Sequence, residues 1–410
     1  MVDSMKLHLE NMGPINEANI NISDITVVGG HNSTGKSTLS KVLYSFLRSN
    51  SFNRQEIAYD SISKLIYEQY KYISRDFRKA DRPKLRSIIS QIRLKGIENF
   101  DTLLDYYEEF KSIISLLGYE DNERFEMIDD LIRVVEEDSD ELYISLMRTL
   151  MESEFSSNNF NCYIDIDDNV IDFKNHDFDD DEAFTSANNF MINEVFYIDS
   201  VSLLDTFDDL IFSDRNGNNH LDHLKKNLTD KDRDVFDEKI NKNVIALEKE
   251  INEIIKGKFV FERGEFKFIT DKDIQSDMHN TASGTKQIGL IQLLLANRKL
   301  NENSFLIIDE PEVNLHPEWQ FMLAKILVLI SKKLNISVYI NTHSPLFIES
   351  IHTYAHYYDI LDKTTYHLAE IEDDTVNINE VAEMDLSRIY DDLGQPYFDM
   401  DIIRLEKEID

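Results

Sequence analysis

Gly30-His31-Asn32-Ser33-Thr34-Gly35-Lys36-Ser37 is the stretch that decides how this chain is read. It fits G-x-x-x-x-G-K-[ST] without a mismatch, and its flanks supply the context that the pattern needs. Ile25-Thr26-Val27-Val28 before it is an apolar, largely β-branched run and reads as a buried strand. Thr38-Leu39-Ser40-Lys41-Val42-Leu43-Tyr44 after it reads as a helix. Gly30 and Gly35 let the backbone close around an anion, because no Cβ blocks the approach. The free N–H groups and the positive end of the helix then face phosphates. The candidate cradle is Gly30, Asn32, Ser33, Thr34, Gly35, Lys36, Ser37 and Thr38. Lys36 reaches β and γ oxygens and the Ser37 hydroxyl suits Mg²⁺, so the expected ligands are ATP and Mg²⁺.

Two later stretches extend the pattern. Phe305-Leu306-Ile307-Ile308-Asp309-Glu310-Pro311 is an apolar strand ending in two acids. Asp309 suits a Mg²⁺ contact, direct or through water. Glu310 stands where a carboxylate can polarise an attacking water. Ala282-Ser283-Gly284-Thr285-Lys286-Gln287 opens an apolar helix. A serine hydroxyl and free N–H groups at a helix start make a second anion site.

In order, the loop, Ser283-Gly284-Thr285-Lys286-Gln287, the Asp309-Glu310-Pro311-Glu312-Val313-Asn314-Leu315-His316-Pro317 run and Ile340-Asn341-Thr342-His343-Ser344-Pro345 resemble ABC-type ATPases of the SMC/RecF/OLD branch. The likeness is close to the bacterial AAA-15 or AAA-21-like group, which is frequent in anti-phage and mobile-element modules. It covers residues 5–50 and 280–350 specifically, and 50–190 hardly at all. It implies a signature motif at Ser283 and Gly284 that contacts the γ-phosphate held by a second subunit. It also implies a D-loop over 312–316 along the dimer interface, and His343 as the switch histidine. Lys286 is either a cation offered across that dimer or a solvent-facing lysine of the first turn. A Mg²⁺-sensing glutamine, which such proteins carry at an early strand end, has no evident counterpart: Gln55, Gln69 and Gln91 lie in helix-like sequence.

The formal charge is −35, unevenly spread. Residues 101–182 hold 26 acids against 5 Lys/Arg. Such a surface repels a phosphate polymer and suits a basic protein partner. Residues 71–95 hold nine basic residues and two acids, the one stretch suited to gripping DNA. One cysteine, Cys162, excludes a disulfide within the chain and fits a reducing compartment. The first residues are too polar for a secretory signal, and the longest apolar runs are too short to span a membrane. A cytoplasmic protein without a membrane domain is expected.

The expected fold class is α/β: a P-loop NTPase of ABC type with a mixed sheet, an N-terminal antiparallel β portion and a compact helical insertion. Residues 1–50 form the first half of the ATPase head and 51–190 the acidic, mostly helical insertion, which lacks sustained heptads. Residues 191–350 form the second half of the head. Residues 351–410 form a hairpin near 365–378 and an acidic helical tail, too short for an appended nuclease. The functional expectation is a homodimer closed around two ATP molecules that regulates a separate effector, a nuclease or a toxin. A DNA-repair ATPase that grips duplex directly and a non-hydrolysing scaffold are the competing readings.

Overall fold

The computed structural model describes residues 5–50, 100–116, 140–155, 162–166, 169–172, 194–199, 219–229, 238–262, 265–277, 283–373 and 375–409, with scattered positions between 62 and 133 and Ile192. The basic 71–95 run lies outside the described residues apart from Leu85 and Ser87 to Ile89. Its strands are β1 (Met5–Met12), β2 (Ile15–Ile22), β3 (Ile25–Gly30), β4 (Tyr163–Ile166), β5 (Asn169–Asp172), β6 (Glu194–Ile198), β7 (Gly257–Glu262), β8 (Glu265–Thr270), β9 (Gln275–Asp277), β10 (Ser304–Asp309), β11 (Ser337–Thr342), β12 (Thr364–Glu372) and β13 (Thr375–Val381). Its longer helices are α1 (Lys36–Ser49), α2 (Phe100–Leu116), α3 (Asp140–Phe155), α4 (His220–Thr229), α5 (Glu238–Ile255), α6 (Ser283–Ala296), α7 (Pro317–Leu334), α8 (Pro345–Tyr357) and α9 (Ser387–Ile409).

Among the described residues, ten strands form one mixed sheet in the order β5-β4-β1-β2-β13-β12-β3-β11-β10-β6. From β12 to β6 every neighbour is parallel. From β5 to β2 every neighbour is antiparallel. The β12–β13 hairpin joins the halves, parallel to β2 on one side and to β3 on the other. The hairpin expected late in the chain is therefore central to the main sheet. A smaller sheet, β7-β8-β9, is antiparallel throughout.

Burial explains the two halves. Every residue of β3, β10 and β11 is buried, because helices cover both faces of a parallel sheet. Phe305 and Ile307 point into a core shared with Leu39, Leu43 and Phe46 of α1. Leu306 and Ile308 point into the opposite core, with α4 to α8. β1 and β2 instead alternate, with one face open to solvent.

The helical segment has a core of its own, including Ile62, Ile66, Leu103, Tyr107 and Phe110. α3 ties it to the head. Leu146 and Leu150 enter the helical core, while Met147 and Met151 enter the core under α1. An ionic clamp, buried at His220 and Glu154, closes the joint. His220 Nδ1 lies 2.6 Å from Glu154 Oε2 of α3, and Nε2 lies 2.9 Å from Asp199 Oδ2 just past β6. Burial alone would lower the His220 pKa, but the bonds to Asp199 and Glu154 raise it to about 9. The His220 ring also packs 4.4 Å from that of Tyr197 on β6.

Candidate nucleotide site

β3 delivers the glycine loop and α1 begins at Lys36, as the spacing predicts. Gly35 has φ +80°, and a Cβ there would fall 2.6 Å from Ile15 Cγ1. Gly30 has φ +156°, and its Cβ would meet that of Ala369 at 2.8 Å. Both positions therefore exclude a side chain. Asn32, Ser33 and Ser37 are exposed, Thr38 is half-buried and Thr34 is buried. The Thr34 hydroxyl donates to the His31 carbonyl at 2.8 Å, bracing the loop. Lys36 is buried, and its ammonium donates to the carbonyls of Gly30 (2.8 Å) and His31 (2.6 Å). Burial lowers its pKa, opposed by the negative field of Glu310, Asp309 and Glu312. Lys36 and the acidic strand end thus share one electrostatic neighbourhood.

Asp309 ends β10 and is held on both oxygens. Tyr197 OH donates to Oδ2 at 3.1 Å, and Asn341 Nδ2 donates to Oδ1 at 2.9 Å. Asn341 Nδ2 also reaches Ser40 Oγ (2.8 Å), which lies 3.1 Å from Tyr197 OH. Burial, and then the Asp309 charge, push the Tyr197 phenol well above its ordinary pKa, so it remains a donor. An ionised carboxylate has further lone pairs after two such bonds. With the exposed Ser37 hydroxyl, Asp309 fits Mg²⁺, which takes one or two protein oxygens and completes its shell from water and phosphate. Among the described residues no group of three or more His, Cys, Asp or Glu could hold a metal. The sequence did not single out Tyr197, Ser40 or Asn341.

Glu310 has φ +50°, a left-handed conformation for a residue with a Cβ. Strain of this kind clusters at functional sites. Its amide donates to the Asn341 carbonyl at 2.9 Å. The turn leaves the Glu310 side chain 37% exposed, while Asp309 before it and Glu312 after it are buried. His343 follows β11 and precedes α8, whose N-cap Ser344 accepts from the Phe347 amide and whose N1 residue is Pro345. Its Nδ1 lies 3.8 Å from Glu310 Oε1 and 3.1 Å from Glu312 Oε1. The expected D-loop needs one correction. Val313 and Asn314 are exposed, but Glu312 turns inward and bonds the His343 loop of its own chain.

Ser283 and Gly284 open α6, as expected. α6 packs in the core of α4, α5 and α7, on the sheet face opposite α1. Lys286 is 6% exposed, so the solvent-facing position is corrected. A contact across a dimer would require its ammonium to leave that burial. Of the three glutamines, Gln69 is helical and buried, and Gln55 and Gln91 lie outside the described residues.

A glycine loop after a parallel strand, with an Asp-Glu pair and a histidine at the ends of the next two strands, defines a P-loop NTPase. The chain belongs to the AAA ATPase domain family AAA_15, whose sequence profile matches residues 5–348. It is accordingly an ATP hydrolase of that family. No curated protein matches it. Among solved structures, the SMC head domain from Thermotoga maritima is 11% identical, with TM-score 0.37, covering 92% of this chain and 98% of that one. A Pyrococcus furiosus Smc head with an extended coiled coil, bound to the C-terminal domain of ScpA, is 11% identical with TM-score 0.34, covering 95% and 98%. An ABC-transporter ATP-binding cassette in its ADP conformation is 11% identical with TM-score 0.36, covering 96% of each chain. Likeness this low decides nothing about chemistry or assembly. Among the described residues no helix is long and apolar enough to cross a membrane.

Proposed function

We propose that two copies of this chain close head to head around two Mg·ATP molecules, and that hydrolysis reopens them as a switch for a separate effector protein. One observation carries the reading. Lys36, Asp309, Glu310 and His343 gather at the C-terminal ends of parallel strands, while Ser283 and Gly284 open a helix on the opposite face of the sheet. In this reading a γ-phosphate held by the first group meets the second on another copy.

The chemistry follows from the residues. Lys36 leaves the loop carbonyls for the β and γ oxygens, and the amides of 32–37 line the phosphates. Ser37 and Asp309 hold Mg²⁺, which neutralises charge on the phosphates when bound. Glu310 accepts a proton from the attacking water, and His343 meets the γ-phosphate. Loss of the phosphate that both copies touch loosens the interface. The strongly acidic stretch at 101–182 supports a basic effector, a nuclease or toxin, rather than a nucleic acid as partner.

Glu310→Gln keeps the shape of the site and removes the base. It should lower kcat by about 10²–10⁴-fold and trap an ATP-bound dimer in light scattering. A variant that stays monomeric at saturating MgATP contradicts the reading.

A further inference from the structure

We propose that Glu312 is a positioning residue for His343: its carboxylate fixes the imidazole so that Nδ1 is tied to protein and Nε2 is the nitrogen presented to the nucleotide. The inference rests on the reading of His343 as the γ-phosphate contact.

The geometry is specific. The Glu312 side chain is 3% exposed, and one oxygen, Oε1, gathers the whole His343 turn. It accepts from Thr342 Oγ1 at 2.6 Å and from the His343 amide at 2.6 Å. His343 Nδ1 lies 3.1 Å from the same oxygen. That approach is within ion-pair reach but off the line of a hydrogen bond. Hydrogen bonds of this kind are often misaligned without substrate and tighten in the complex. The second oxygen, Oε2, is buried with no hydrogen-bond partner among the described residues. A buried carboxylate oxygen left unmatched is costly, so a small rotation of the ring toward it is favoured.

Glu310 does not fill the same role. Its oxygen is farther from Nδ1, at 3.8 Å, and its side chain is 37% exposed, free to face water. The two acids thus divide the work: Glu310 faces the reacting water and Glu312 faces the ring. A carboxylate that sets the tautomer and orientation of a catalytic imidazole is a known device in unrelated enzymes. Here the sequence supplies it two residues after the base, and across the left-handed turn at Glu310 the second carboxylate is buried while the first stays 37% exposed.

The test is Glu312→Gln, with Glu312→Asp as the charge-retaining control. Glu312→Gln should lower kcat about tenfold to a hundredfold, as loss of a supporting partner typically does, and leave the MgATP Kd within a few-fold. Glu312→Asp should recover part of the rate. In the double variant with His343→Ala, Glu312→Gln should add almost nothing, because both act through one ring. Independent of turnover, ¹⁵N-histidine spectra above the ordinary imidazole pKa should place the His343 proton on Nδ1 in the wild type and move it in Glu312→Gln. An unchanged His343 signature, or additive losses in the double variant, overturns the proposal. Full activity in His343→Ala alone would instead overturn the assignment of His343 itself, whatever the spectra show. Should Glu312→Gln fail to fold, Thr342→Val removes one bond to Oε1, keeps the charge, and should weaken the same spectral signature.

Discussion

The two halves of the main sheet contrast sharply. In the parallel half, β3, β10 and β11 are buried on both faces and end at one edge, so the glycine loop, Asp309, Glu310 and His343 converge. In the antiparallel half, β1 and β2 alternate buried and exposed residues, and successive strand ends point opposite ways. Polar side chains there spread over an open face: His8 bonds Asn19 at 2.8 Å, and Asn16 bonds Asn377 at 3.1 Å. The lesson is geometric. Shared strand direction concentrates chemistry at one edge, as open α/β sheets do generally.

If that contrast is real, substitutions behind the parallel edge should matter far more than equal ones on the open face. The largest stability effect belongs to His220→Gln, which strands the Glu154 and Asp199 carboxylates without their cation. Breaking a buried pair in this way costs about 3–5 kcal/mol, measured by urea denaturation. The same group sets a pH dependence. Its folded pKa, about 9, lies above the ordinary 6.5. Its contribution is therefore full below about pH 6.5, and is lost as pH rises through about 9. Denaturation midpoints should fall across that window in the wild type and less so in His220→Gln.

Tyr197→Phe should come next. It removes one bond to Asp309 and should weaken Mg²⁺ activation about tenfold, read as the Mg²⁺ concentration for half-maximal ATPase. The smallest effect should be His8→Gln on the open face, within about 0.5 kcal/mol. A large loss at His8 would break the comparison.

The sequence made the edge legible where chemistry needs adjacent residues. Gly30, Gly35 and Lys36 sit in one loop, and Asp309 and Glu310 are neighbours behind an apolar run. The rest depends on residues distant along the chain. Tyr197 meets Asp309 only because β6 lies beside β10, and Glu154 meets His220 across an intervening segment. The hairpin near 365–378 was legible as a hairpin. Its seat between β2 and β3 was not, because strand order is tertiary. The solvent-facing alternative for Lys286 failed because a helix start on sequence looks exposed, while the core around α6 buries it.

The central claim is that each ATP site is built from two chains. It is tested most directly by mixing Lys36→Ala with Ser283→Arg, each inactive alone. A mixed dimer carries one doubly damaged site and one intact site. Mixing equal amounts should therefore restore roughly a quarter of the wild-type ATPase rate. No recovery, with mixed dimers demonstrably formed, or full activity of Ser283→Arg by itself, would contradict it.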